Sequence, residues 1–158
     1  MYVTDYLSVE SIELDSPIKN KAEAIEHLVE LLKKKGCLLD ADDFKKSIIE
    51  REQLGSTAIA EGVAIPHAKS KAVKFPGISA LIVKEGIDFN AKDEMPAKIF
   101  FMIAAPEDNH NLHVEMLGRL AILLISQRFR EKLMHIDSKE KFVTFIERME
   151  AKETENIE

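Results

Sequence analysis

The chain has no tryptophan and one cysteine among 158 residues, with five prolines and six glycines. Cys37 cannot close an internal disulfide and has no partner at zinc-site spacing. It follows Gly36, where a small, semi-buried residue fits. Long apolar runs are missing too. The longest, Ile99–Ala105 and Leu120–Ile125, fall far short of a bilayer span, so direct membrane insertion is not expected. The first ten residues, MYVTDYLSVE, lack the basic start and apolar stretch of a secretory signal, which points to a reducing, cytoplasmic setting. Excess positive charge is absent as well. The net charge is -6, and the one basic cluster, Lys33-Lys34-Lys35, suits the last turn of a helix, so nucleic acid is not an expected partner. An acidic surface of this kind suits docking to a basic protein. No GxxxxGK[ST], GxGxxG or GxSxG occurs, which removes the common nucleotide cradles and the nucleophile elbow.

What is present describes one globular domain. Hydrophobic residues make up 46% and charged residues 32%, enough to build a core without metal or disulfide. Asn20 with Glu23 caps a helix carrying Ile25, Leu28, Val29 and Leu32, and Gly36 ends it. A second helix runs from Asp40 to about Gln53, with Arg51 near its end. The period then changes. Ala58–Ala60, Val63–Ile65, Ile78–Lys84 and Ile99–Ala105 read as strands, and the last, IFFMIAA, is apolar on both faces, as a strand covered on both sides must be. A long helix is expected from about Asn111 to Ile125, a short one over Gln127–Met134 and a final one capped by Ser138. Interleaved strands and helices argue for a single layered α/β domain over 1–150, followed by a polar tail or linker start at 151–158.

The stretch Gly55–Lys69, GSTAIAEGVAIPHAK, carries the chemistry. Pro66 cannot donate to a ladder, so pairing should stop there and leave His67 at a strand mouth. A lone histidine at such a place often serves only as a hydrogen-bonded loop residue. Here Arg51 and the Ser56–Thr57 hydroxyls lie just upstream, and His113 opens the long helix. Two imidazoles, a guanidinium and hydroxyls suit a phosphoryl group, with His67 as nucleophile and His113, Arg51, Ser56 and Thr57 as donors. Metal is the competing reading: His110 and His113 are three apart and His67 could complete a three-histidine set. His110 precedes the regular helix, however, where that spacing no longer ensures convergence, so no metal is assigned. His27 and His135 read as surface residues.

These motifs carry a family resemblance. Arg51-Glu52 before Gly55-Ser56-Thr57, then GVAIPHAKS over Gly62–Ser70, FFMIAAP over Phe100–Pro106 and Leu112–Leu117, LHVEML, follow in the order found in one family. From Thr4 to Glu150 the chain resembles the EIIA domains of the bacterial phosphoenolpyruvate-dependent sugar phosphotransferase system, fructose/mannitol type, and is closer to the fructose members. The resemblance implies one α/β domain with a mostly parallel central sheet flanked by helices on both faces. It implies that His67 takes a phosphoryl group from the phosphocarrier HPr and passes it to a cysteine of an EIIB domain, which feeds a membrane EIIC permease. His113 and Arg51 would steady that group, and no cofactor is implied. A regulatory role, like that of the nitrogen-type EIIA proteins, uses the same histidine and stays open.

Overall fold

The computed structural model describes residues 1–108 and 111–157. Helix α1 (Lys21–Lys35) opens where the Asn20 side chain accepts the Glu23 N–H at 2.9 Å. Glu23 in turn accepts the Lys19 N–H at 2.9 Å, a capping box displaced by one residue. Gly36 closes the helix at φ 87°, the left-handed region that suits glycine. Helix α2 (Ala41–Gln53) is capped by Asp40, which accepts the Asp43 N–H at 3.1 Å.

Six strands follow these cues into one sheet: β1 (Ile12–Glu13), β2 (Ala58–Ala60), β3 (Val63–Ala64), β4 (His67–Ser70), β5 (Gly77–Ile87) and β6 (Ala97–Pro106). Their order is β1-β5-β6-β3-β2, and β4 continues along β6 beyond β3. The sheet is mixed. The β1–β5, β3–β6 and β4–β6 pairings are parallel, while β2–β3 and the long β5–β6 pairing are antiparallel. The antiparallel return has a simple cause. Only residues 88–96 join β5 to β6, and a parallel crossover needs a dozen residues or more.

Helices α3 (Leu112–Leu124), α4 (Gln127–His135) and α5 (Lys139–Ile157) complete an α/β fold with five helices. Alternation along β6 divides the core in two. Phe100, Met102 and Ala104 face the cluster that holds α1 and α2, while Ile99, Phe101 and Ile103 face α3, α4 and α5. The doubly apolar IFFMIAA run is thus a strand covered on both sides. Ser126 and Ser138 cap α4 and α5, accepting N–H groups of Phe129 and Lys141 at 3.1 Å each.

One expectation changes, and two elements go beyond the sequence pattern. Residues 151–157, expected as a polar tail or linker start, continue α5. Glu150 on that helix is buried and accepts the Val3 and Thr4 N–H groups at 2.7 and 3.2 Å, holding the amino-terminal turn against the core. Burial pushes its carboxyl pKa up, against those two hydrogen bonds. Pairing also does not stop at Pro66; it pauses for Ile65 and Pro66 and resumes as β4 on the same edge of β6. Finally, Ile12–Glu13 adds a short parallel edge to β5, too brief to show as a hydrophobic period.

One close approach tests this packing. A Cβ on Gly77 would lie 2.3 Å from the Cys37 sulfur and 3.2 Å from Leu32. Gly77→Ala is expected to lower the unfolding free energy by about 1–3 kcal/mol, the usual cost of overpacking. Urea denaturation should show that loss, and Gly77→Ala/Cys37→Ala should recover much of it; an undiminished midpoint in the single variant would contradict this packing.

Candidate functional site

Pro66 builds the site by interrupting a strand. The Pro66 carbonyl still accepts the Ile103 N–H at 3.0 Å, while the Ile65 N–H continues the β2 pairing to Thr57 O at 3.1 Å and the Thr57 N–H goes to Glu52. The Ile65 carbonyl is left to the next side chain: His67 Nδ1 lies 2.8 Å from it. A carbonyl oxygen only accepts, so Nδ1 must carry the proton. The lone pair is therefore on Nε2, and the ring is held at its other nitrogen by the backbone.

His67 is the first residue of β4 and lines an open cleft of about 660 Å³. The carboxyl-terminal half of α2 supplies Ser47, Glu50, Arg51 and Gln53, with Leu54 just after it; β4 supplies His67, Ala68 and Lys69; α3 supplies His113. The His67 and His113 rings stack with centroids 6.3 Å apart and an angle of 27°. His113 Nδ1 is buried and has no hydrogen-bond partner among the described residues. Burial pushes the His113 pKa below the ordinary value, and the charges of Lys69 and His67 push it in the same direction. The folded protein thus favours the neutral ring. The sign follows: this group's contribution to stability is full above its unfolded pKa and is lost as pH falls through the lower folded value.

Arg51 reaches the cleft with one of its donors already engaged, Nη1 donating to Gly55 O at 2.9 Å. The loop that carries Gly55 is itself held. Buried Glu52 accepts the Thr57 N–H at 3.2 Å and the Thr57 hydroxyl, and pairs with Lys21 Nζ at 3.0 Å. The Ser56 hydroxyl donates to Phe89 O and accepts the Ala58 N–H.

The structure therefore brings together His67, His113 and Arg51 from three separate elements, and it does not bring Ser56 and Thr57 to them. Each of these hydroxyls has one proton, and in this structure both protons go to protein acceptors that fasten the loop. Neither residue lines the cleft. His110 lies outside the described residues, so the three-histidine arrangement has two described members; no cluster of three potential ligands is found among the described residues. His27 pairs with Glu13 at 2.9 Å, and His135 Nδ1 lies 2.7 Å from the Glu131 carbonyl, both away from the cleft. Sequence reasoning missed Leu54 and Lys69. Lys69 was legible in principle, because strand alternation puts it on the His67 face, but a strand was not expected beyond Pro66.

Comparisons with known proteins find relatives by sequence and by fold. Residues 5–149 match the sequence model of a family described as "Phosphoenolpyruvate-dependent sugar phosphotransferase system, EIIA 2". The fructose-specific EIIABC component of Bacillus subtilis is 38% identical over 92% of this chain, which spans only 23% of that protein. The fructose-specific EIIA component of Haloferax volcanii is also 38% identical, over 89% of this chain and 93% of its own length. Among solved structures, nitrogen regulatory protein IIA-Ntr of Neisseria meningitidis superposes with a TM-score of 0.85 at 30% identity, covering 91% of this chain and 98% of that one. Enzyme IIA mannitol of Escherichia coli, solved with phosphorylated enzyme IIB mannitol, gives 0.76 at 25%, covering 89% and 96%.

Two histidine states are expected in a ¹⁵N-edited titration of the unmodified protein. His67 should show a protonated Nδ1 and a bare Nε2, and His113 should titrate below the ordinary value of about 6.5. A His67 population protonated mainly at Nε2, or a His113 midpoint above that value, would contradict the arrangement.

Proposed function

Because this chain belongs to the EIIA 2 family of the phosphoenolpyruvate-dependent sugar phosphotransferase system, we propose that it is a phosphocarrier whose acceptor is His67 Nε2. The observation that carries this reading is the Nδ1–H bond to the Ile65 carbonyl, which leaves the other nitrogen as the nucleophile. Phosphorylated HPr is the proposed donor. The Nε2 lone pair forms the new N–P bond as the bond to the donor breaks, and the group crosses with its charge on the equatorial oxygens. Arg51, held at one donor by Gly55, offers its remaining N–H groups to those oxygens. His113, neutral at ambient pH, serves as a neutral hydrogen-bond donor and flanks the acceptor ring. The open cleft suits a carrier that must meet two partners in turn, and exposed Leu54 gives it an apolar rim.

The onward acceptor is proposed to be a cysteine of an EIIB domain, with the group reaching sugar through an EIIC permease while this domain stays in the cytoplasm. A mannitol-type relative solved with its phosphorylated enzyme IIB supports the EIIB step. The two fructose-specific relatives favour a fructose-like sugar. The likeness to a nitrogen regulatory protein supports a second reading, in which the phosphorylation state controls a partner's binding.

Transfer from phosphoenolpyruvate through Enzyme I and HPr, read by intact mass, tests the proposal. Wild type should gain one acid-labile phosphoryl group and His67→Ala none. His113→Ala should still be labelled, at a rate lower by about 10–100-fold, as expected on losing a transition-state donor. Full labelling of His67→Ala would remove it as acceptor. Onward transfer to a fructose EIIB separates transport from regulation, and its absence would favour the regulatory reading.

A further inference from the structure

β4 brings a second cation into the cleft. His67 and Lys69 are two apart on this strand, with Ala68 buried between them, so they share a face at a repeat of about 7 Å. Both line the cleft that holds Arg51 and His113. Lys69 is exposed and has no carboxylate partner among the ion pairs of the described residues.

A phosphoryl group brings a charge of about -1.5 to -2 at neutral pH. Arg51 brings one positive charge, but one of its donors is engaged by Gly55 and the Glu50 carboxylate lines the same cleft. His113 is held neutral by burial and by Lys69 itself. The described cleft then has one cation without a role. Taking His67 as the acceptor, as above, we propose that Lys69 is the second cation of the phosphoryl site, one that acts on the bound group rather than on a docking partner. A lysine suits that position because its compact ammonium on a flexible stem can follow the phosphoryl group in and out, where the planar Arg51 fork stays in place.

A small-molecule donor separates this role from partner docking. Phosphoramidate can phosphorylate His67 alone: its P–N bond breaks, the nitrogen leaves as ammonia with its own hydrogens, and the P–Nε2 bond forms. ³¹P titration of the product then reports the pH at which the phosphoryl oxygens take up a proton. Lys69→Met should move that midpoint upward by about half a pH unit, the scale of one charge acting over about 7 Å of largely aqueous dielectric. Lys69→Arg should restore the wild-type midpoint, and 1 M salt should shrink the difference. In the unmodified protein, Lys69→Met should also raise the His113 midpoint, which loss of a docking contact would not do. If phosphorylated Lys69→Met titrates as wild type does, the proposal is overturned while His67 stands. Wild type that accepts no phosphoryl group from phosphoramidate or from HPr would overturn both.

Discussion

The site depends on a break in one strand. β3 and β4 run along the same edge of β6 and would form a single parallel strand if Pro66 did not lie between them. A proline cannot donate to the ladder, and the β6 pairing pauses at Ile65 and Pro66. The Thr57 N–H opposite Ile65 donates to Glu52, so the Ile65 carbonyl would be a buried, unsatisfied acceptor if nothing replaced that partner. His67 Nδ1 replaces it. One hydrogen bond meets the backbone's need and also selects the His67 tautomer. The resumed strand then aims His67 and Lys69 into the cleft together.

The loop before the break is held just as firmly. Glu52 is buried, and it is tolerable there because Thr57 donates to it twice and Lys21 pairs with it. Ser56 fastens the same loop to Phe89, and Gly55 presents its carbonyl to Arg51. The guanidinium therefore meets a ligand from a fixed position with little side-chain entropy left to lose. Electrostatically the cleft is graded. Arg51 and Lys69 are positive, Glu50 is negative, and His113 is kept neutral beside the His67 ring. Such a site can hold an anionic group without holding it so tightly that transfer onward is lost.

Much of this was legible in the sequence because the signals are local. Asn20, Gly36, Asp40 and Ser138 mark helix ends through hydrogen bonds that their own side chains or φ angles make possible. The doubly apolar β6 run announced a covered strand. The His67, His113 and Arg51 grouping was reachable through residue chemistry and through the family motifs. What stayed hidden depends on partners distant in the chain. Nothing in Ser56 or Thr57 says that their protons go to Phe89 and Glu52 rather than to a ligand. The antiparallel return of β5 to β6 turns on a short connection whose length mattered more than its composition. A four-residue strand after a proline carries too little periodicity to be read, and Lys69 was passed over with it.

The central claim is that the backbone, through Ile65, decides which nitrogen of His67 reacts. The most direct test is ³¹P–¹⁵N coupling in phosphorylated protein carrying ¹⁵N-labelled histidine. The account predicts a one-bond coupling to Nε2 of His67, with Nδ1 still protonated against the Ile65 carbonyl. A phosphoryl group bonded to Nδ1, or to His113, would contradict it.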